Sequence, residues 1–175
     1  MKHKLNNGKI CQVERPDTSS ANKLIEYIKK VSDETDNLTF CSEEFDTSLA
    51  EEKNYINKVN NDEKSIILLA WQNGKIVGNL TMNGNNKFRL RHKADFGMSV
   101  LKSYWGMGIG KALMEEMLSF AEKAGITKIN LKVRKDNERA IGLYKKFNFK
   151  EEGLEKRGMM VDEEYIDFLL MGLML

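Results

Sequence analysis

The sequence predicts a mixed α/β or α+β fold, in which one sheet of parallel and antiparallel strands carries helices on its faces. Two apolar runs joined by Asn73-Gly74 give a hairpin signal, because this dipeptide readily adopts the positive φ angles of a tight turn. Further along, an apolar-striped helix closed by Gly125 lies between two strand-like runs. A strand–helix–strand unit brings its two strands parallel, so the sheet contains both kinds of pairing.

The elements of the first half follow one another without a linker or a repeat. KICQVER is a short strand, and residues 17–20 offer caps to a first helix whose apolar residues recur at three- and four-residue spacing. Ser48 and Glu51 have the spacing of a capping box, which predicts the start of a second helix. The apolar face of this second helix is predicted to carry Leu49, Ile56 and Val59.

The second half continues after the hairpin with a long or bent strand, FRLRHKADFGMSVL, in which Gly97 is a candidate bulge. Beyond the glycine-rich helix come a strand, TKINLKV, and a short helix. Two final strands are joined by a turn from Met159 to Glu163. The predicted order is therefore β-α-α-β-β-β-α-β-α-β-β, and the close spacing favours a single domain over residues 1–175.

Composition and charge exclude several classes of protein. Net charge is only +2 and the basic residues are scattered, which argues against a nucleic-acid-binding module. The longest apolar run, FLLMGLML, is too short to cross a bilayer, and the first ten residues do not have the pattern of a signal peptide. Cys11 and Cys41 form neither a disulfide framework nor a metal-binding spacing. These features predict a cytoplasmic protein that uses no metal.

The most informative stretch of the chain is YWGMGIGKALM. Gly106, Gly108 and Gly110 stand immediately before a helix, where unpaired backbone N–H groups carry partial positive charge. Glycines leave these groups open to a ligand, so the backbone from Gly106 to Lys111 is a candidate pyrophosphate site. The alternative is a tight turn whose glycines serve packing alone.

Two common phosphate motifs do not fit this stretch. The spacing differs from G-x-G-x-x-G because position 111 is lysine, and no acidic residue follows the next strand to bind a ribose. Gly110-Lys111 is followed by Ala112, so no hydroxyl is placed for magnesium as in a P-loop. The remaining candidate ligand of this stretch is a pyrophosphate group that binds without a metal ion.

The segment SVLKSYWGMGIGKALM resembles the acyl-CoA-binding motif of the GCN5-related N-acetyltransferases, the GNAT superfamily, with Gly108 and Gly110 on the motif glycines. NERAIGLYKKFNFKEEG resembles the second signature of that family, and the resemblance extends over roughly residues 9 to 175. Two positions depart from the family pattern. Trp105 stands where the family has Gln or Arg, and Asn148 replaces a glycine, although asparagine tolerates the left-handed region.

The resemblance implies a mostly antiparallel sheet of about seven strands whose central parallel pair, 94–101 and 127–133, splays apart. It also implies acetyl-CoA as co-substrate, with the pantetheine arm paired to the central strand and the pyrophosphate on the glycine loop. Asn137 is a candidate to cap its own helix, to bond to the arm, or to do both. The implied contacts to coenzyme A are Met98, Ser99, Val100, Trp105, Gly106, Met107, Gly108, Ile109, Gly110, Lys111 and Asn137.

The activity implied by the resemblance is transfer of an acetyl group to a primary amine of a small molecule or a protein N-terminus. Tyr144 matches the tyrosine that acts as general acid toward the departing thiolate. Asp95 is the candidate base, with His92 as an alternative, and Glu34 is a candidate contact to the acceptor. A non-catalytic acyl-CoA sensor of the same fold is the competing hypothesis.

The acceptor is expected to bind in the least patterned segments, the loop around residues 33–47 and the last hairpin around residues 157–166. Six carboxylates in the loop favour a cationic amine, although an acidic loop exposed to solvent explains them equally well. They are Asp33, Glu34, Asp36, Glu43, Glu44 and Asp46. Many members of the family dimerise, so a homodimer is a further expectation.

Overall fold

The computed structural model describes all 175 residues and contains one eight-stranded sheet with four α-helices. The strands are β1 (Lys2–Lys4), β2 (Ile10–Glu14), β3 (Ile66–Gln72), β4 (Lys75–Gly84), β5 (Lys93–Val100), β6 (Lys128–Arg134), β7 (Lys150–Val161) and β8 (Glu164–Met174). The helices are α1 (Ala21–Asp33), α2 (Leu49–Asn60), α3 (Ile109–Lys123) and α4 (Glu138–Lys146). None of these helices is long and apolar enough to cross a membrane.

The sheet is mixed, with the order β1-β2-β3-β4-β5-β6-β8-β7. Every neighbouring pair is antiparallel except β5 and β6, which run parallel. The parallel pairing covers only three positions, from Lys93 opposite Lys128 to Asp95 opposite Asn130, and then stops. The predicted mixed fold with a central splayed pair is therefore confirmed.

The N-terminal part of the chain differs from the prediction at two points. Residues Lys2–Lys4 form an additional edge strand, which the sequence did not reveal because three residues are too few for a period-two pattern. In α2 the capping box of Ser48 and Glu51 is present, as predicted. Leu49, however, is exposed, and Glu52 occupies the buried face in its place.

The second half also corrects two predictions. β5 begins at Lys93, and Gly97 pairs in regular register with Thr81, so no bulge occurs there. The final hairpin turns only at Asp162 and Glu163, both with positive φ, rather than over Met159 to Glu163. This two-residue turn lacks the glycine or asparagine that usually supplies positive φ, which is why the sequence pattern did not predict it.

The sheet separates two apolar cores. β3 is buried on both sides, which explains its unbroken apolar run: Ile66, Leu68 and Ala70 pack in the core with α3, whereas Ile67 and Leu69 face α1 and α2. The alternation continues on β4, where the even positions 80 and 82 also belong to the α3 core. Asn79 and Thr81, which alternate with these two residues, are thereby turned toward α1 and α2.

Candidate functional site

A cavity of about 1430 Å³ opens where β5 and β6 separate. It begins on the α1–α2 face, passes the unpaired end of β5, and reaches the glycine loop before α3 and the start of α4. Each of the two strands keeps one paired edge, β5 with β4 and β6 with β8. The other edges of Phe96–Val100 and Leu131–Arg134 are free to pair with an extended ligand.

The glycine loop presents a row of free backbone donors to this cavity. Gly106 and Gly108 have φ of +75° and +96°, and Gly108 is the N-cap of α3. A Cβ added at Gly106 would meet no protein atom within 4 Å, so the loop surface is open at that point. Five backbone N–H groups have no acceptor within the protein: those of Gly106, Gly108, Ile109, Gly110 and Lys111.

The hairpin loop between β1 and β2 supports the glycine loop from behind. The Asn6 side-chain amide donates to the carbonyl of Gly106 at 2.8 Å, and the Asn6 backbone N–H donates to the carbonyl of Met107 at 3.0 Å. These bonds satisfy carbonyl groups of the loop while leaving its N–H groups exposed. Sequence reasoning missed Asn6, because this residue lies about 100 positions from its partners and no local pattern links them.

Trp105 closes one side of the cavity. Its indole N–H donates to the Val100 carbonyl at 2.6 Å, and the Arg139 guanidinium stacks on its ring, 3.2 Å from the centroid. Burial lowers the pKa of Arg139 from its ordinary value, yet such a group stays charged at neutral pH. Arg139, a cation on α4, therefore lies directly beside the Trp105 ring at this side of the cavity.

The predicted coenzyme A contacts on β5 line the cavity where β5 and β6 separate. Met98, Ser99 and Val100 pair with β4 on one side and border the gap on the other. The Ser99 hydroxyl is 2.9 Å from the hydroxyl of Tyr27 on α1, which ties this helix to the central strand. Lys111, at the start of α3, forms an ion pair with Glu115 at 3.5 Å and also lines the cavity.

Tyr144 reaches the cavity from α4 on the other face of the sheet. The side chain of Asn137 caps this helix by accepting the Ala140 N–H at 3.1 Å. The Tyr144 ring packs edge-on against Phe96 with a centroid distance of 5.8 Å. Only 6% of Tyr144 is exposed, and burial raises its pKa to about 12. Asn148, which ends the α4 turn, has a φ of +64°, as predicted for an asparagine in place of glycine.

A free row of N–H groups, a splayed parallel pair and a buried tyrosine agree with the result of sequence comparison. The model of the acetyltransferase (GNAT) family matches residues 28–149. The chain belongs to this family. The N-terminal strands β1 and β2 lie outside the matched residues, as does the loop between them that carries Asn6.

Individual relatives agree with this assignment. The chain is 36% identical over 106 residues to the L-amino acid N-acetyltransferase AaaT of Escherichia coli, an alignment that spans 60% of this chain and 65% of that protein. A GNAT acetyltransferase of Streptococcus pneumoniae superposes with a TM-score of 0.90 at 31% identity over 94% of this chain and 99% of its own. The phosphinothricin acetyltransferase of Sinorhizobium meliloti, solved with acetyl-CoA, shares the fold at 16% identity, with a TM-score of 0.80 over 94% of this chain and 88% of its own.

Three other residues singled out in the sequence lie outside the cavity of this GNAT fold. Asp95 is exposed and accepts a hydrogen bond from the Asn130 amide at 3.3 Å, at the end of β5 that is still paired with β6. Glu34 accepts the Lys102 N–H at 2.7 Å and so caps the turn after β5. His92 is exposed in the loop before β5. The structure therefore does not bring Asp95, Glu34 or His92 to Tyr144.

The expected acceptor segments are brought to the cavity only in part. The loop 33–47 lines the α1–α2 end of the cavity, but Asp46 is the only one of its six carboxylates among the lining residues. The hairpin over residues 157–166 does not line it. Hydrophobic side chains such as Phe40 and Phe45 contribute instead, stacked with their centroids 5.9 Å apart.

Glu52 and Asn79 are polar residues of the cavity that sequence reasoning missed. Glu52 is 4% exposed, and burial raises its pKa. A side-chain oxygen of each residue is buried without a hydrogen-bond partner. The spacing of Glu52 from Ile56 and Val59, four and seven residues, could have placed it on the buried face of α2.

Proposed function

We propose that this chain, acting as one domain over residues 1–175, transfers an acetyl group from acetyl-CoA to a primary amine. The amine belongs to a small molecule or a protein N-terminus. The observation that carries the proposal is the row of five free N–H groups at the mouth of the gap between β5 and β6. The Sinorhizobium meliloti neighbour, which holds acetyl-CoA in the same fold, supports it.

The residues present fit coenzyme A. Free N–H groups at the start of a helix bind phosphate through hydrogen bonds and the helix dipole. The gap beside Met98 to Val100 suits an extended arm whose amides pair with the free strand edge. The cationic side chains of the cavity lining all come from residues 111–146, the part of the chain that includes α3, β6 and α4. They are Lys111, Lys132, Arg134, Arg139 and Lys146.

The chemistry follows from these placements. Acetyl-CoA supplies an activated thioester, on which a neutral amine forms the new C–N bond while the C–S bond breaks. The nitrogen gives up one proton and the sulfur takes up one, so the products are an amide and the free thiol. A backbone N–H of the Met98–Val100 segment donates to the thioester oxygen, where negative charge develops. Tyr144 donates a hydrogen bond to the sulfur as it leaves.

Tyr144 acts in this proposal as a hydrogen-bond donor that keeps its proton. Burial raises its pKa to about 12, whereas an ordinary thiol titrates near ~8.5. Full transfer of the proton to the thiolate would therefore be uphill by about 5 kcal/mol. A hydrogen bond stabilises the developing charge without this cost. No proton transfer is assigned to Asp95, because its carboxylate lies outside the cavity.

The test is release of coenzyme A thiol from acetyl-CoA, measured with a panel of primary amines and with acceptor acetylation confirmed by mass. We expect release that depends on both protein and amine. If acetyl-CoA binds tightly but no amine in the panel triggers release, the chain is a binding protein and the proposed catalysis is wrong.

A further inference from the structure

The cavity is divided by charge. In its α1–α2 half, the lining residues with charged side chains are Asp46, Glu51 and Glu52, all of them acidic. No lysine or arginine before residue 111 lines the cavity. Arg134 of β6 does reach the loop 33–47, but its guanidinium is engaged by the Asp36 carbonyl and by the Asp136 carboxylate. An anionic group on the acceptor, such as a carboxylate next to its amine, would therefore find no unpaired cation in this half.

Glu52 differs from the other two acidic residues in being buried and unsatisfied. Glu51 is engaged in the capping box with Ser48, and Asp46 is exposed to solvent. Glu52 is 4% exposed, and its Oε1 has no hydrogen-bond partner. Burying a carboxylate without a partner costs free energy, and a cation that binds to the carboxylate offsets part of that cost.

A second unsatisfied acceptor lies in the same half of the cavity. The Oδ1 of Asn79 on β4 is buried without a partner, and Asn79 also lines the cavity. Asn79 stands opposite Ser99 in the β4–β5 register, one strand away from the gap. Two buried oxygen atoms that only accept hydrogen bonds suit a ligand group that only donates them, which is the property of an ammonium.

We propose that Glu52 and Asn79 bind a second ammonium group of the acceptor, so that the preferred acceptors are diamines or polyamines rather than amino acids. This inference rests on the proposed function. The reacting amine must be neutral and must enter the gap beside β5, whereas a carboxylate stabilises the protonated form of an amine. The group bound by Glu52 is therefore a different nitrogen from the reacting one.

Three acceptors built on one carbon chain test the proposal. Pentylamine is the reference, α,ω-diaminopentane adds a second amine at the far end, and norleucine adds a carboxylate beside the reacting amine. We expect kcat/KM for the diamine to exceed that for pentylamine by about 10- to 100-fold, the range of a hydrogen bond to a charged group. Norleucine should be no better than pentylamine.

The Glu52→Gln variant keeps the shape of the side chain and removes its charge. It should lose the preference for the diamine, whereas the control Glu63→Gln, which removes an exposed carboxylate outside the cavity, should keep it. If Glu52→Gln does not fold, Asn79→Leu should reduce the preference several-fold. A preference for norleucine, or an equal loss for all three acceptors in Glu52→Gln, would overturn the proposal.

A binding measurement separates this inference from the proposed function. If no amine is acetylated, calorimetry of α,ω-diaminopentane in the presence of coenzyme A still reports on the site. Binding by the wild type that weakens at least tenfold in Glu52→Gln supports the ammonium site even without turnover. Equal binding by both proteins, or none by either, overturns it.

Discussion

At the scale of single residues, the Tyr144 hydroxyl is the group on which the proposed chemistry depends most. Removing it in Tyr144→Phe takes away the hydrogen bond to the leaving sulfur, so we expect kcat to fall about 10- to 100-fold with little change in the KM for acetyl-CoA. Burial is the only cause that raises the pKa of Tyr144, and no hydrogen bond within the protein opposes it. Thermal stability should therefore be unchanged or slightly higher in the variant.

The same substitution makes a prediction about pH. Because the pKa of Tyr144 is raised to about 12, the hydroxyl stays protonated over the range in which the enzyme can be assayed. The ratio of wild-type to variant kcat should thus be constant from about pH 7 to about pH 10. A ratio that collapses above about pH 9 would show that the tyrosine loses its proton there and that burial does not control it.

The structural role of a residue could be predicted from the sequence where a motif fixes both the residue type and its spacing. The capping role of Asn137 and the left-handed Asn148 belong to this group. The positions of Asp95 and Glu34 relative to the cavity could not be predicted. That of Asp95 depends on where β5 and β6 stop pairing, and that of Glu34 depends on its bond to the Lys102 N–H in a turn far along the chain. The burial of Glu52 depends on how α2 packs, which the helix pattern only suggested.

At the scale of elements, the start of α3 is the site on which binding depends. Gly108→Glu places a negative side chain at the free N–H groups, and we expect acetyl-CoA binding to be lost. The positive φ of +96° adds a backbone cost of about 1–2 kcal/mol. Gly125→Glu is the matched control, since Gly125 has a φ of +68° after the other end of α3, and a Cβ added there would meet no protein atom within 4 Å.

The two variants should show similar decreases in melting temperature, but only Gly108→Glu should lose affinity, as measured by calorimetry with coenzyme A. Retained affinity in Gly108→Glu would mean that the phosphates bind elsewhere. Loss in both variants would point to a general effect of charge or folding instead of a specific site.

The loop between β1 and β2 makes a second prediction at this scale. Asn6→Ala removes the 2.8 Å bond to the Gly106 carbonyl, so the glycine loop should become less ordered. We expect the KM for acetyl-CoA to rise several-fold, kcat to change little, and the free energy of unfolding to fall by about 1 kcal/mol. Asn7→Ala is the control, because it removes a contact to the Met107 sulfur and a bond from the Lys9 N–H within the same loop but no bond to a carbonyl of the glycine loop. Equal KM values for wild type and Asn6→Ala would exclude the supporting role.

At the scale of the whole molecule, the sheet is built to keep one gap open. Its order follows from local signals: the Asn73-Gly74 hairpin, the strand–helix–strand unit around α3 and the apolar final strands. These were sufficient to predict a mixed fold. The extent of the gap was implied only by the family resemblance, because no residue pattern in β5 or β6 marks Asp95 as the last paired position.

The central claim is that the free N–H groups before α3 hold the diphosphate of coenzyme A, so that the acetyl group reaches the gap beside Tyr144. A crystal structure of the complex with coenzyme A tests it most directly. We expect phosphate oxygens within hydrogen-bonding distance of the backbone from Gly106 to Lys111 and the sulfur near the Tyr144 hydroxyl. Clear density for the nucleotide at another site, with this loop free of it, would contradict the claim.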